Sequence, residues 1–185
     1  MARQIHEFSD PDRFIVGTVG MPGDRTFFLQ ARDGNDVISV VIEKQQAAIL
    51  AERIDLLLEQ VGIRHPEAEI PGRPEHFDMR PLDVPIVEEF RVGSMALGWD
   101  ETSARVILEA HAVDDEDREI PDLTDDDPAA VDTLRVWLAP VMAREFAARA
   151  VAVVEAGRPA CTFCNQPLDP TGHICPRANG YRRRS

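Results

Sequence analysis

Before position 161 this chain contains no cysteine, and its 185 residues include only three. No apolar run approaches the 18 or more residues that cross a bilayer. The polar opening, Met1-Ala-Arg-Gln-Ile-His-Glu-Phe-Ser-Asp, lacks the apolar middle of a secretory signal. A cytoplasmic location without a membrane partner is therefore expected. Three enzyme signatures are also missing: the Gly-x-Ser-x-Gly elbow, the His-Glu-x-x-His helix and the dinucleotide fingerprint. Gly17-Thr-Val-Gly20-Met-Pro-Gly23 lacks the Gly-Lys-Ser/Thr ending of a phosphate loop, and a second strand follows where a helix N-terminus is needed. It reads as a hairpin turn. These absences weigh against an enzyme.

Positive charge is scarce in the body of the chain. Residues 1–157 carry 15 basic and 32 acidic side chains, and residues 158–185 carry five arginines against Asp169 alone. So acidic a body repels phosphate backbones, which leaves only the C-terminal tail as a possible contact for nucleic acid. An apolar fraction of 44% suits a folded domain, and 185 residues suit one domain with a small appendage.

What is present includes a repeat. Asp36-Val-Ile-Ser-Val-Val-Ile-Glu-Lys-Gln-Gln-Ala-Ala-Ile-Leu-Ala-Glu-Arg, moved by 96 positions, falls without gaps on Asp132-Thr-Leu-Arg-Val-Trp-Leu-Ala-Pro-Val-Met-Ala-Arg-Glu-Phe-Ala-Ala-Arg. Val40 meets Val136, Ala47 meets Ala143, Ala51 meets Ala147 and Arg53 meets Arg149. A weaker echo joins Phe14-Ile-Val-Gly-Thr to Phe90-Arg-Val-Gly-Ser.

Each copy parses as three strands and a helix. In the first, strands are expected at about 13–20, 25–33 and 36–42, with turns at Met21-Pro-Gly-Asp and Asp33-Gly-Asn. A helix over about 43–61 places Ala47, Leu50, Ala51, Ile54, Leu57, Leu58 and Val61 on one stripe. In the second, strands are expected at about 88–98, 103–112 and 132–138, with a helix from Pro140 to Glu155. Proline in its first turn costs no hydrogen bond.

The expected fold is α+β. Duplicated βββα units, at about 13–61 and 88–157, form an antiparallel sheet with helices packed on it and share one core by pseudo-twofold symmetry. Residues 62–87, rich in proline, read as an extended connection. Residues 114–127, with nine carboxylates and one arginine, read as a solvated loop that lacks the Asp-x-Asp-x-Asp-Gly spacing for calcium.

All three cysteines lie in Cys161-Thr-Phe-Cys164-Asn-Gln-Pro-Leu-Asp-Pro-Thr-Gly-His173-Ile-Cys175. Cys161, Cys164, His173 and Cys175 supply the four ligands of one tetrahedral structural zinc ion, with turn-forming residues between the two pairs. A redox Cys-x-x-Cys normally follows a strand in a βαβ unit, a disulfide would leave one thiol over, and catalytic zinc keeps an open position. The chain is thus divided into a duplicated domain, 1–157, and a zinc-binding hairpin with a basic tail, 158–185. So small a hairpin draws its folding energy from the metal.

Phe14-Ile-Val-Gly-Thr-Val-Gly-Met-Pro-Gly-Asp-Arg-Thr-Phe-Phe-Leu-Gln-Ala, taken with Cys161-x-x-Cys164 and Gly172-His-Ile-Cys-Pro-Arg-Ala-Asn-Gly180, resembles an actinobacterial family of uncharacterised proteins catalogued as domain of unknown function 3090. Where such families often place Gly after the second cysteine, Asn165 stands here. The resemblance implies a cytoplasmic actinobacterial protein and carries no activity. Three functions are expected from the residues, the third being RNA binding through the basic tail against the charge of the body. The first is a non-enzymatic module that binds a protein partner through a groove or sheet face. The alternative is a small enzyme with a cleft between the repeats, using carboxylates such as Asp24, Glu88 and Glu89. His65, His76 and His111 read as loop or strand-end histidines.

Overall fold

The computed structural model describes residues 3–21, 23–114, 122–124, 126–128, 130–156, 163, 164 and 175. The chain begins with β1 (Ile5–Phe8), which the repeat does not foresee. It continues through β2 (Arg13–Met21), β3 (Asp24–Asp33), β4 (Asp36–Ile42) and α1 (Lys44–Arg64). After a short 3-10 turn at Pro66–Ala68 come β5 (Glu88–Asp100), β6 (Arg105–Ala112), β7 (Thr133–Leu138) and α2 (Pro140–Glu155). The hairpin pairs Met21↔Asp24 and Asp33↔Asp36 enclose the expected turns, with Gly23 at φ 100° and Gly34 at φ 58°. Helix α1 runs three residues past its expected end. It stops at His65, since the residue before Pro66 is pushed out of helical geometry.

The fold is α+β, and its seven strands make one mixed sheet in the order β1-β7-β6-β5-β4-β3-β2. This corrects the expected antiparallel sheet. β4 and β5 pair in parallel, as do β1 and β7. The reason is connectivity. Parallel neighbours need a long crossover, and α1 with the proline-rich connection supplies one between β4 and β5. A βαβ step therefore sits at the junction of the two halves. β2 and β5 consequently run the same way, so the halves stand head to tail and not about a twofold axis.

Both helices lie on one face, where α1 rests against α2 and α2 against β2. Every second residue of each strand turns to that face. Across the first half the inward row is Val16–Leu29–Val40, and across the second it is Leu97–Leu108–Val136. The core between sheet and helices holds these rows with Ile54, Leu58, Ala143 and Ala147. Phe14 and Phe146 stack with ring centroids 4.8 Å apart. Through these rows Val16 corresponds to Leu97, so the weak echo of Phe14 in Phe90 is five places out of ladder register.

Candidate functional site

The face of the sheet away from the helices is covered by two excursions of the chain, and they dock alike. In the first half, Leu82 of the connection fills the gap above Gly17. A Cβ there would come within 2.6 Å of its Cγ. The next residue is held by Gln30, whose Oε1 accepts from Asp83 N at 2.7 Å and whose Nε2 donates to Asp83 O at 3.0 Å. In the second half, Leu123 fills the gap above Gly98, with a Cβ there 2.6 Å from its Cδ2. The next residue, Thr124, donates its N–H to Glu109 Oε1 at 3.0 Å. Gly17 pairs with Phe28 and Gly98 with Ile107, while Gln30 faces Ser39 and Glu109 faces Arg135. The two leucine-in-glycine contacts thus occupy corresponding ladder positions.

Charge separates them. Gln30 is buried and neutral, and its amide also donates to Ser39 Oγ at 3.0 Å. Around it, Arg13 and Arg149 grip the connection. Arg13 pairs with Asp78 at 2.6 Å and Asp83 at 2.8 Å, and Arg149 donates to the carbonyls of Val16, Asp78 and Arg80. The hydrogen bond from Arg80 holds the Asp78 carboxyl well below the usual carboxylate range. Burial pushes Arg149 down from its ordinary value.

In the second half the corresponding carboxylate, Glu109, is 0% exposed and pairs through Oε1 with Arg135 Nε. Arg135 reaches on to Asp126 at 2.8 Å and Glu7 at 3.5 Å. His111, 1% exposed, sits beside Glu109 and places Nδ1 3.1 Å from Thr133 Oγ1. Burial, foremost, lowers the His111 imidazole below its ordinary range. Reading His111 as an unpartnered strand-end histidine missed this cluster. Its signal was in the sequence: two residues apart in a strand point to one face, so Glu109 and His111 had to meet.

On the helix side a groove separates α1 from β5, with a cavity volume of about 460 Å³. Ile49, Leu56, Leu57, Met95 and Leu97 give it aliphatic walls, and Arg53 and Gln60 are its polar lining. Ile49 and Leu56 are exposed, and Arg53 makes no ion pair among the described residues. This is where the two halves meet, and among the described residues no carboxylate lines the groove. Asp24 opens β3, and Glu88 and Glu89 open β5, all exposed.

Of the expected zinc ligands, Cys161 and His173 lie outside the described residues. Cys164 is half-buried in a turn beside the exposed Phe163, and Cys175 is buried, 6% exposed. Among the described residues no group of three or more His, Cys, Asp or Glu side chains is placed to hold a metal ion. The acidic loop lies partly outside them too. Of its described residues, Leu123 and Thr124 are docked on the sheet. No described helix is long and apolar enough to cross a membrane.

Compared with known proteins, residues 6–175 match the family described as Protein of unknown function (DUF3090), and the chain belongs to it. No curated protein and no solved structure matches the chain.

Proposed function

We propose that this chain is a zinc-binding, non-enzymatic adaptor whose groove between α1 and β5 receives an amphipathic segment of a protein partner. The observation that carries the reading is the character of that groove. Exposed aliphatic side chains surround a cation that has no carboxylate of its own among the described residues, in a protein otherwise rich in carboxylates. A segment offering aliphatic side chains and one carboxylate for Arg53 fits it, in the manner of a helix laid in an apolar groove. An active-site cleft would instead gather acid–base groups, and none is among the described residues that line the groove.

Cys161, Cys164, His173 and Cys175 hold one structural zinc ion in this reading, forming a hairpin appended to domain 1–157. The burial of Cys175 and partial burial of Cys164 support it, since thiolates turned from water suit a closed shell. Tandem duplication of βββα units is the accompanying proposal. Its support is that α1 and α2 begin 96 residues apart, at Lys44 and Pro140, each after a strand of the same direction.

Two measurements test the function. Purified protein is expected to contain one zinc per chain, lost in Cys161→Ser. A zinc-free wild type, or an undiminished variant, refutes the metal. Photo-crosslinking from position 60 in the native host is expected to capture one predominant protein. Capture that survives Arg53→Glu combined with Leu56→Glu refutes the groove.

A further inference from the structure

On the outer face of the second half, the hydrogen-bond accounting comes out one proton short. Thr133 Oγ1 donates to Val131 O at 3.0 Å and accepts from Arg3 Nη2 at 3.0 Å. A hydroxyl has one hydrogen and two acceptor sites, so the contact with His111 Nδ1 uses its second acceptor site. With the Thr133 hydroxyl hydrogen on Val131 O, the imidazole hydrogen is on Nδ1, and the neutral ring leaves Nε2 bare. That Nε2 lies 3.5 Å from Glu109 Oε2, and neither atom has a hydrogen-bond partner among the described residues. Two acceptors face each other in a place closed to water, an arrangement that costs free energy until something stands between them.

We infer that Glu109 Oε2 and His111 Nε2 form a buried binding site for one proton. On acidification, solvent supplies the proton, Nε2 binds it and donates it to Oε2, and the neutral ring becomes an imidazolium paired with the carboxylate. A metal ion fits less well. The other oxygen of the same carboxylate already binds the Arg135 guanidinium, which repels a second cation.

The surrounding groups set when the proton binds. Glu109 comes from β6, Thr133 and Arg135 from β7, Arg3 from the segment before β1, Glu7 from β1 and Asp126 from the covering loop. From β5 the ladder partners of His111 and Glu109 are Ser94 and Ala96, without charge. Burial lowers the affinity most, Glu109 raises it, and Arg3 and Arg135 lower it, so uptake falls below the ordinary histidine value of 6.5. The first half shows what a proton-indifferent solution looks like at this ladder position, because Gln30 is hydrogen-bonded through both Oε1 and Nε2. The second half trades that amide for a carboxylate and an imidazole. Because Thr124 N–H and Arg135 both rest on Glu109, the covering loop and β7 sense the proton directly.

Nitrogen-15 NMR of the histidine rings in the full chain tests this. At neutral pH His111 is expected as the Nδ1–H tautomer with bare Nε2. Below pH 6.5 Nε2 gains its hydrogen, and the Thr124 amide moves along the same curve. In Glu109→Gln the ring keeps its tautomer, its titration moves further down or is lost, and the Thr124 amide no longer follows it. An Nε2–H tautomer at neutral pH, or a His111 titration unchanged in Glu109→Gln, overturns the proposal. If that variant does not fold, the tautomer and the shared curve of the wild type decide alone.

Discussion

The two halves of the sheet close the same outer face with the same leucine-in-glycine contact, yet at the corresponding buried position one has a neutral amide and the other a carboxylate in an ion-pair cluster. Gln30 needs only Ser39 and the backbone of Asp83 to be satisfied. Glu109 needs Arg135, and Arg135 in turn draws in Asp126 and Glu7. A buried amide with all its bonds made is indifferent to its surroundings. A buried ion pair keeps its partners only while each charge is answered.

The comparison breaks most visibly where a charge is left alone. Arg135→Met strands the Glu109 carboxylate in the interior, and chemical denaturation should show a loss of about 3–5 kcal/mol. The inward rows should not distinguish the halves. Leu29→Ala and Leu108→Ala remove fully buried side chains at corresponding positions, and each is expected to cost about 2–5 kcal/mol. A large difference between them would mean that the rows are not equivalent.

Gln30→Ala leaves Asp83 N–H without its acceptor, for about 1–3 kcal/mol by the same assay, clearly less than Arg135→Met. The glycine gaps sharpen the contrast further. In Gly17→Ala the new methyl meets Cγ and both methyls of Leu82, whereas in Gly98→Ala it meets one terminal methyl of Leu123. The first should cost about 1–3 kcal/mol in melting experiments and the second less, because a chain end can turn aside.

The smallest expected effect is on pH dependence, and its sign follows from His111. Its folded-state pKa lies below the unfolded value of 6.5, so the unfolded chain binds the proton more readily. The stability this contributes is fully present above 6.5 and is lost as pH falls through the folded pKa. Denaturation midpoints should therefore drop on acidification through this window. A midpoint that rises there would reverse the assignment of His111 as neutral.

Much of this was legible in the chain itself. The 96-residue shift located β4, β7 and the starts of both helices, and the period of apolar residues located the inward stripe from Ala47 to Val61. The expected turns at Met21 and Asp33 rest on glycine's tolerance of positive φ, a local property that travels with the residue. Other features were not legible. Strand β1 is four residues long, too short for a periodic signal, and exists because β7 offers it an edge. The parallel junction was hidden because pairing direction is not a property of either strand. The candidate site was half readable: Glu109 and His111 share a face by strand period alone, but nothing near them announces Arg135, Thr133 or Arg3.

By itself the sequence determined what depends on neighbours within a few residues: strand, turn, helix, the buried stripe, and the spacing of four candidate zinc ligands. Only the tertiary structure decided what depends on residues far apart in the chain. The crossover between β4 and β5 turned an expected twofold into a head-to-tail sheet. The same long-range pairing put a neutral amide at one ladder position and a buried carboxylate at its counterpart, because the environment of a buried polar group is set by whatever segment happens to cover it.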